Sequence, residues 1–347
     1  MRKIFQICLV LVLAFGMATA AMAASNARMP AIKAGAAHLI GQQRTDAGWE
    51  GTWYWYVGSD YDATNLTGVT ALGLLEAFKD VKDPAYLDAV KSAASFAMTH
   101  LGSGATGAKY SLRWTAPDII LVQYLGKVTG DATYNQHATA EWTNIKSFYP
   151  NASAMDTLFR NIGRPSTWDL AAYMEAAYLS GDTTWANQAA AIISDIDDAF
   201  YYNPNSGWYA LNLAGSIRAL INCGYAIEYQ AEIIQMLNDL VALCDGDNGI
   251  GGYVQDTSYA VMAFNSVGGA ARSVANELGR WLATQITTDG GWIEAGYEYP
   301  EINGEAIRAL SSTVGTNFTL DGFEPGLKPV SSWRRPASSQ KTEPFED

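Results

Sequence analysis

The chain has 347 residues, 49% hydrophobic side chains and a formal net charge of −13, enough sequence for one large domain with a substantial core. The acidic balance disfavours nucleic acid and anionic lipid surfaces as partners, and it argues mildly against polyanionic substrates. No stretch after residue 23 is long and apolar enough to predict a membrane span.

The N-terminal residues have the features of a secretory signal peptide. Two basic residues precede an apolar run that ends near Ala18, and Ala21-Met22-Ala23 is a small-x-small cleavage site. We therefore expect residues 1–23 to be removed and the protein to be secreted or periplasmic. A single domain is predicted over residues 24–320, followed at 321–347 by a proline-rich tail that is extended or disordered.

Twelve helix-length segments alternate between two kinds along the chain. They are predicted at 30–43, 65–79, 84–101, 117–129, 132–148, 167–180, 183–199, 210–223, 226–244, 256–267, 270–286 and 303–314. The even-numbered segments are apolar on most faces, which is typical of buried helices, and the odd-numbered ones are one-sided and alanine-rich. This alternation predicts an all-α fold, an (α/α)6 toroid of six helix hairpins with inner and outer helix rings. The residues expected to be buried on the inner ring are Ile119, Val122, Met174, Val261 and Phe264.

Two kinds of connection also alternate. Asp83, Asp131 and Asp182 lie in short connections at intervals of about 50 residues, a repeat signature, and each is expected to cap the helix that follows. The long connections run from outer to inner segments and therefore meet at one end of the toroid, here called the mouth. They are predicted at 44–64, 102–118, 150–166, 201–208, 245–255 and 288–302.

Two cysteines, Cys223 and Cys244, follow the predicted signal peptide. Cys223 is placed at the end of one predicted helix and Cys244 at the far end of the next, about 27 Å apart at 1.5 Å per residue. A disulfide needs Cα atoms within about 7 Å. We therefore expect two unpaired thiols.

One pair of segments resembles a known repeat. Trp281-Leu282-Ala283-Thr284-Gln285 followed by Asp289-Gly290-Gly291-Trp292 is similar to the glutamine–tryptophan repeat of terpenoid cyclases and protein prenyltransferases. Weaker copies are Gln42-Gln43 with Asp46-Ala47-Gly48-Trp49, then Gly251-Gly252-Tyr253 and Gly207-Trp208. The resemblance implies the toroid and offers an isoprenoid in the central cavity as a candidate ligand. Because such repeats staple helix ends, they indicate fold rather than chemistry.

The catalytic motifs of that superfamily are incomplete here. Class II cyclases carry a D-x-D-D string, and at the fitting position Gln255 stands where the proton-donating Asp is required. Asp195-Ile196-Asp197-Asp198 has the right letters but ends an outer segment. A partial match at Asp60–Thr64 makes Asp62 the best general-acid candidate. Ser258 replaces the cysteine of the prenyltransferase zinc site, so zinc is not expected.

The predicted mouth combines tryptophans with carboxylates, a composition that suits sugars, which stack on aromatic faces and are hydrolysed by carboxyl pairs. The candidate catalytic residues are Asp62, Asp60 and Glu298. The candidate substrate-binding residues are Trp49, Trp53, Trp55, Trp114, Trp208, Tyr253, Asp256, Trp292 and Tyr297. For any one of them a structural role is favoured, whereas for the mouth as a whole binding is favoured. Asp256 is expected to cap an inner helix, whose dipole would keep it ionised.

The remaining charged residues leave two minor alternatives. Asp245 and Asp247 have the look of a calcium loop, but a plain turn is the favoured interpretation and no cofactor is expected. Arg113, Arg160 and Arg164 could neutralise a substrate carboxylate, as a lyase requires, although salt bridges are the favoured role.

Three functions remain open at this point. The leading hypothesis is an exported toroid that binds and cleaves a glycan by carboxylate acid–base chemistry, as a glycoside hydrolase or a polysaccharide lyase. The alternatives are a terpenoid-cyclase-like protein that holds an apolar isoprenoid in the central cavity, and a non-catalytic interaction module. Oligomeric state and the role of the tail are not predicted.

Overall fold

A computed structural model of the chain describes residues 27–60, 66–99, 116–245 and 248–314. Within these ranges the chain forms thirteen helices and two short β-hairpins. The helices are α1 (27–42), α2 (Thr67–Val81), α3 (Pro84–Thr99), α4 (Ala116–Thr129), α5 (Ala132–Phe148), α6 (Ala152–Asn161), α7 (Thr167–Leu179), α8 (Thr183–Ser194), α9 (Tyr209–Asn222), α10 (Gln230–Ala242), α11 (Val254–Val267), α12 (Ala271–Thr284) and α13 (Pro300–Val314). Strand β1 (Cys244–Asp245) pairs antiparallel with β2 (Gly249–Ile250), and β3 (Ile293–Glu294) pairs with β4 (Tyr297–Glu298).

Six helices close into an inner ring. Each packs on the next in the order α2, α4, α7, α9, α11, α13, and α13 packs back on α2. The outer helices α3, α5, α8, α10 and α12 each lie against the inner helix next to them in the chain. Helix α1 completes the outer ring beside α12 and α13, where Arg28 Nη1 donates to Asn276 Oδ1 at 2.6 Å. The predicted (α/α)6 toroid is confirmed.

The inner helices form the core because they are buried on most of their faces, and most of their residues are apolar. The five residues predicted to be buried there, Ile119, Val122, Met174, Val261 and Phe264, are all fully buried. The ring closes through glycines at the α2–α13 contact. A Cβ atom at Gly73 would lie 2.2 Å from the carbonyl oxygen of Gly304, so any larger residue would separate these two helices.

The predicted aspartate caps are also confirmed. The Asp131 side chain accepts a hydrogen bond from the Thr133 amide at the start of α5, and Asp182 accepts one from the Trp185 amide at the start of α8. Asp83 accepts one from the Ala85 amide, in the first turn of α3, at 3.0 Å. These contacts satisfy amide groups that have no partner within the helix.

One helix was not predicted. The segment taken as a long connection at 150–166 contains α6, which Asn151 caps by accepting from the Ala154 amide. Its buried residues Ala152, Met155 and Phe159 have the spacing of one helical face, so the periodicity of the sequence carried the signal. The expected count of twelve helices is therefore corrected to thirteen over the described ranges.

Cys223 and Cys244 are not joined by a disulfide bond, as predicted. Within the described ranges, no helix combines the length and apolar character that a membrane span requires. The predicted signal peptide (1–23) and tail (321–347) lie outside the described residues.

Candidate functional site

A cavity of about 1100 Å³ lies inside the inner ring. All six inner helices contribute to its wall, together with connections that precede them, at 204–208 and 250–253 for example. Because each of these connections leads into the first turn of an inner helix, the cavity lies at the mouth. Function is commonly located where long connections meet on a rigid scaffold.

Aromatic side chains form a large part of the wall, and their mutual contacts hold them in place. Trp168 lies 6.0 Å from Trp208 between ring centroids and makes an edge contact with Tyr259 at 5.3 Å. Trp55 makes an edge contact with Tyr299 at 6.2 Å. All five line the cavity. Such fixed apolar faces suit a flat or ring-shaped ligand.

Two carboxyl groups meet at the start of α11. Glu294, from β3, accepts a hydrogen bond from the Gln255 amide at 2.9 Å and therefore caps the helix. Asp256 lies in the first turn of α11, and the N-cap residue is Tyr253, which makes no side-chain cap. Burial, and then the charge of Glu294, raise the pKa of Asp256 to about 7. The prediction that Asp256 caps the helix and stays ionised is wrong.

A second pair of carboxyls lies on α13. Burial, and then the charge of neighbouring Asp169, raise the pKa of Glu301 to about 7. Glu305 is 1% exposed and accepts from Gln255 Nε2 at 3.0 Å. Its pKa is raised well above the ordinary value by burial and by Glu301. Two interacting acids of this kind titrate as a pair and hold protons that isolated acids would lose.

Three arginines line the cavity, at 164, 218 and 308, and two of them have acidic partners. Arg164 Nε lies 2.5 Å from Asp169, and Arg218 lies 2.8 Å from the fully buried Glu175. Arg308 is half-buried and makes no ion pair with any described residue.

The predicted salt-bridge role of the loop arginines is confirmed for two of the three. Arg164 pairs with Asp169, and Arg160 pairs with Asp156 and Asp198. Arg113 lies outside the described residues.

Four of the predicted site residues line the cavity, namely Trp55, Trp208, Tyr253 and Asp256. Trp53 and Trp292 do not, because both are fully buried. The Trp53 indole donates to the Leu39 carbonyl and that of Trp292 to the Leu282 carbonyl, both at 2.8 Å. These indoles staple the ends of α1 and α12, and full burial leaves no ring face for a ligand. Their predicted role in substrate binding is wrong, and Trp53 rather than Trp49 is the counterpart of Trp292.

Four more predicted residues lie outside the cavity lining. Trp49 stacks on Phe96 at 5.6 Å, and Tyr297 packs on Tyr56 at 5.2 Å with half of its surface exposed. Asp60 is exposed.

Glu298 is the fourth of these residues, and its contacts explain its position. Its Oε1 atom lies 2.6 Å from His38 Nε2 and accepts from Gln42 and Asn303 at 2.8 Å each. These contacts tie the β3–β4 hairpin to α1 and α13, which is a structural role.

Three predicted residues, Asp62, Trp114 and Asp247, lie outside the described ranges. Asp245, the other half of the candidate calcium loop, accepts from Asn248 Nδ2 at 3.2 Å. Within the described ranges no group of three or more His, Cys, Asp or Glu residues is arranged to hold a metal ion. The calcium alternative is therefore untested.

Sequence reasoning missed several charged residues around the cavity, Asp169, Arg218, Glu305 and Arg308 among them. Asp169 lies in the first turn of α7, where acidic residues are common, so its position gives no indication of a functional role. Glu305 and Arg308 lie within a segment predicted to be buried on most faces. Charged residues are rarely buried without a partner. A charged residue inside a segment that is predicted to be buried therefore indicates a special role, and this was the signal in the sequence.

Comparison with known proteins supports the fold. No family model matches the sequence, and no curated protein matches it. The structure resembles a solved polysaccharide lyase with a TM-score of 0.52 and 12% sequence identity, over 82% of this chain and 52% of the lyase. The chain thus spans about half the length of that protein. At this identity the likeness concerns the fold alone, and the resemblance to terpenoid cyclases gains no support and stays a prediction.

Proposed function

We propose that the cavity binds a glycan and cleaves a glycosidic bond, with Asp256 as the general acid. The observation that carries the proposal is a carboxyl group with a pKa raised to about 7, in the wall of a cavity lined by indole rings. At neutral pH about half of such groups hold a proton. An acid that is to protonate a leaving group needs that property.

The charge of the lining favours a sugar over an isoprenoid. Asp169, Asp256, Glu294, Glu301, Arg164, Arg218 and Arg308 all line the cavity. An apolar chain would desolvate these groups and offer them no hydrogen bonds, which is costly. A sugar offers hydroxyl groups to the carboxylates and an apolar ring face to Trp168 or Trp208.

The second carboxylate of the reaction is assigned to Asp169. It forms an ion pair with Arg164 at 2.5 Å and therefore supplies negative charge at the cavity wall. It comes from α7, whereas Asp256 comes from α11, and α9 lies between these helices in the ring. The two carboxyls thus approach a bound sugar from different sides, as acid and base must.

A glycan-array screen of the protein, followed by product analysis on the glycans that bind, tests the proposal. Asp256→Asn should bind as the wild type does and lose turnover, whereas Trp208→Ala should weaken binding. Asp289→Asn is the matched control, because Asp289 is exposed and does not line the cavity. Turnover that survives in Asp256→Asn would remove this residue from the mechanism.

Asp62→Asn belongs in the same series. The sequence made Asp62 the first choice as general acid, and the residue lies outside the described ranges. Loss of turnover in Asp62→Asn, with full turnover in Asp256→Asn, would return the role to Asp62.

Arg308 favours a second candidate, elimination on an acidic glycan. A half-buried guanidinium without an acidic partner in the described ranges suits the carboxylate of a uronate, which elimination chemistry must neutralise. Elimination leaves a carbon–carbon double bond in the product, whereas hydrolysis adds water across the broken bond. Ultraviolet absorption and the product mass therefore distinguish the two reactions.

A further inference from the structure

Two glutamates of α13 form what we call the acidic pair. Glu301 and Glu305 lie one helical turn apart, a spacing that puts like charges next to each other and is unfavourable in isolation. Glu301 lines the cavity, and Glu305 lies behind it at 1% exposure. One oxygen of Glu305 accepts from Gln255, while the other, Oε1, is buried with no hydrogen bond of good geometry, and the Tyr259 hydroxyl lies close to the carboxyl group.

The surroundings of the acidic pair supply more acids than cations. Helix α11 contributes Gln255, Asp256 and Tyr259, and the β3–β4 hairpin contributes Glu294. From the α7 side come Asp169 and Arg164, which already pair with each other.

The other two arginines of the cavity do not neutralise the pair. Arg218 is held by Glu175, and Arg308 forms no ion pair with Glu301 or Glu305. The acidic pair is thus a buried site that lacks one positive charge, and a buried carboxylate without a partner is unfavourable.

We infer that the acidic pair binds the protonated amine of an amino sugar. This inference rests on the proposed function and names the class of glycan. An ammonium group has three N–H donors, enough for Glu301 and one further acceptor. Tyr259 lies beside Glu305 and makes an edge contact with Trp168, and both rings line the cavity, where an aromatic face attracts a cation.

Binding should displace a proton. Without a ligand, burial raises the pKa values of both glutamates, Asp169 adds to the effect at Glu301 and Glu301 adds to it at Glu305, so the pair holds a proton at neutral pH. An ammonium group supplies the missing positive charge and lowers those pKa values. The proton then leaves to the solvent, and the net charge of the site is unchanged.

Isothermal titration calorimetry with three tetrasaccharides tests this inference. The probes are tetraglucosamine, its fully N-acetylated form and tetragalacturonate, at pH 6.5 in two buffers of different ionisation enthalpy. Tetraglucosamine, which is cationic at this pH, should bind at least about tenfold more tightly than the N-acetylated form, as expected for a desolvated charge pair. The buffer dependence should report proton release.

The variants Glu301→Gln and Glu305→Gln should abolish both the preference and the proton release. Glu228→Gln is the control, because Glu228 is exposed and outside the cavity lining. Gln keeps the shape of Glu and removes a buried charge, and thermal unfolding of each variant at pH 6.5 confirms that it is folded.

The possible outcomes separate the amine site from the glycan cavity. Equal or tighter binding of the N-acetylated form or of tetragalacturonate, weakened by Trp208→Ala, overturns the amine site and leaves the glycan cavity standing. A preference for tetraglucosamine that persists in both glutamine variants overturns the assignment to the acidic pair. Failure of all three probes and of every arrayed glycan to bind overturns the proposed function together with the inference.

Discussion

Replacing Asp256 by Asn should stabilise the protein, and the gain should depend on pH. The pKa of Asp256 in the folded protein is about 7, against an ordinary value of 3.8. Between these two values the unfolded chain has lost the proton and the folded protein still holds it. The free energy of unfolding therefore falls as the pH rises through this window, and it changes no further above it.

The size of the effect follows from the same two values. A difference of about three pKa units at 1.36 kcal/mol each gives about 4 kcal/mol as an upper estimate. Asn resembles protonated Asp in shape and cannot ionise. Asp256→Asn should thus match the wild type near pH 4 and exceed it by up to about 4 kcal/mol at pH 8.

Urea unfolding of both proteins at pH 4, 6 and 8 measures this difference. Glu301 titrates in the same range, but it does so in both proteins and its effect largely cancels in the comparison. Asp289→Asn, an exposed aspartate, should give a small difference at every pH. A difference between Asp256→Asn and wild type that is independent of pH, or a variant less stable than wild type at pH 8, would refute the account of the cavity.

Three further predictions concern the stability of the fold and the reactivity of the two cysteines. Trp292→Ala should lower the free energy of unfolding by about 3–5 kcal/mol, measured by urea unfolding, because it empties a fully buried site. Glu175→Gln should cost about 3–5 kcal/mol in the same assay, since it leaves the Arg218 guanidinium without its buried partner. A thiol reagent should modify half-buried Cys244 in the folded protein and Cys223 only after unfolding, because burial raises the pKa of the Cys223 thiol; equal rates at the two thiols would contradict their positions.

The toroid could be predicted from the sequence because helix boundaries and helix burial depend on residues that are close together in the chain. Helix α5 (Ala132–Phe148) was placed at its observed bounds, since Asp131 caps its start and an aromatic, polar stretch ends it. The burial of Val261 and Phe264 follows from a helix that is apolar on every side. Helix α6 was missed because its short apolar face lies within a segment read as a connection.

The site could be predicted only in part because its chemistry depends on distant neighbours. Asp256 looked like a helix cap, and nothing near it in the sequence indicates that Glu294 takes the cap instead. The same contact places the charge of Glu294 beside Asp256 and raises the pKa of Asp256. Trp53 and Trp292 were selected as tryptophans of the mouth, yet whether an indole lies in a cavity or between helices depends on packing that composition does not specify.

The most direct test of the central claim is turnover of a bound glycan by wild type and by Asp256→Asn, measured in parallel with binding. The first step is to identify a glycan that binds the wild type and loses affinity in Trp208→Ala. The account predicts that wild type cleaves this glycan and that Asp256→Asn binds it with unchanged affinity and releases no product. Full turnover by Asp256→Asn, or a bound glycan whose affinity is independent of Trp208, would contradict it.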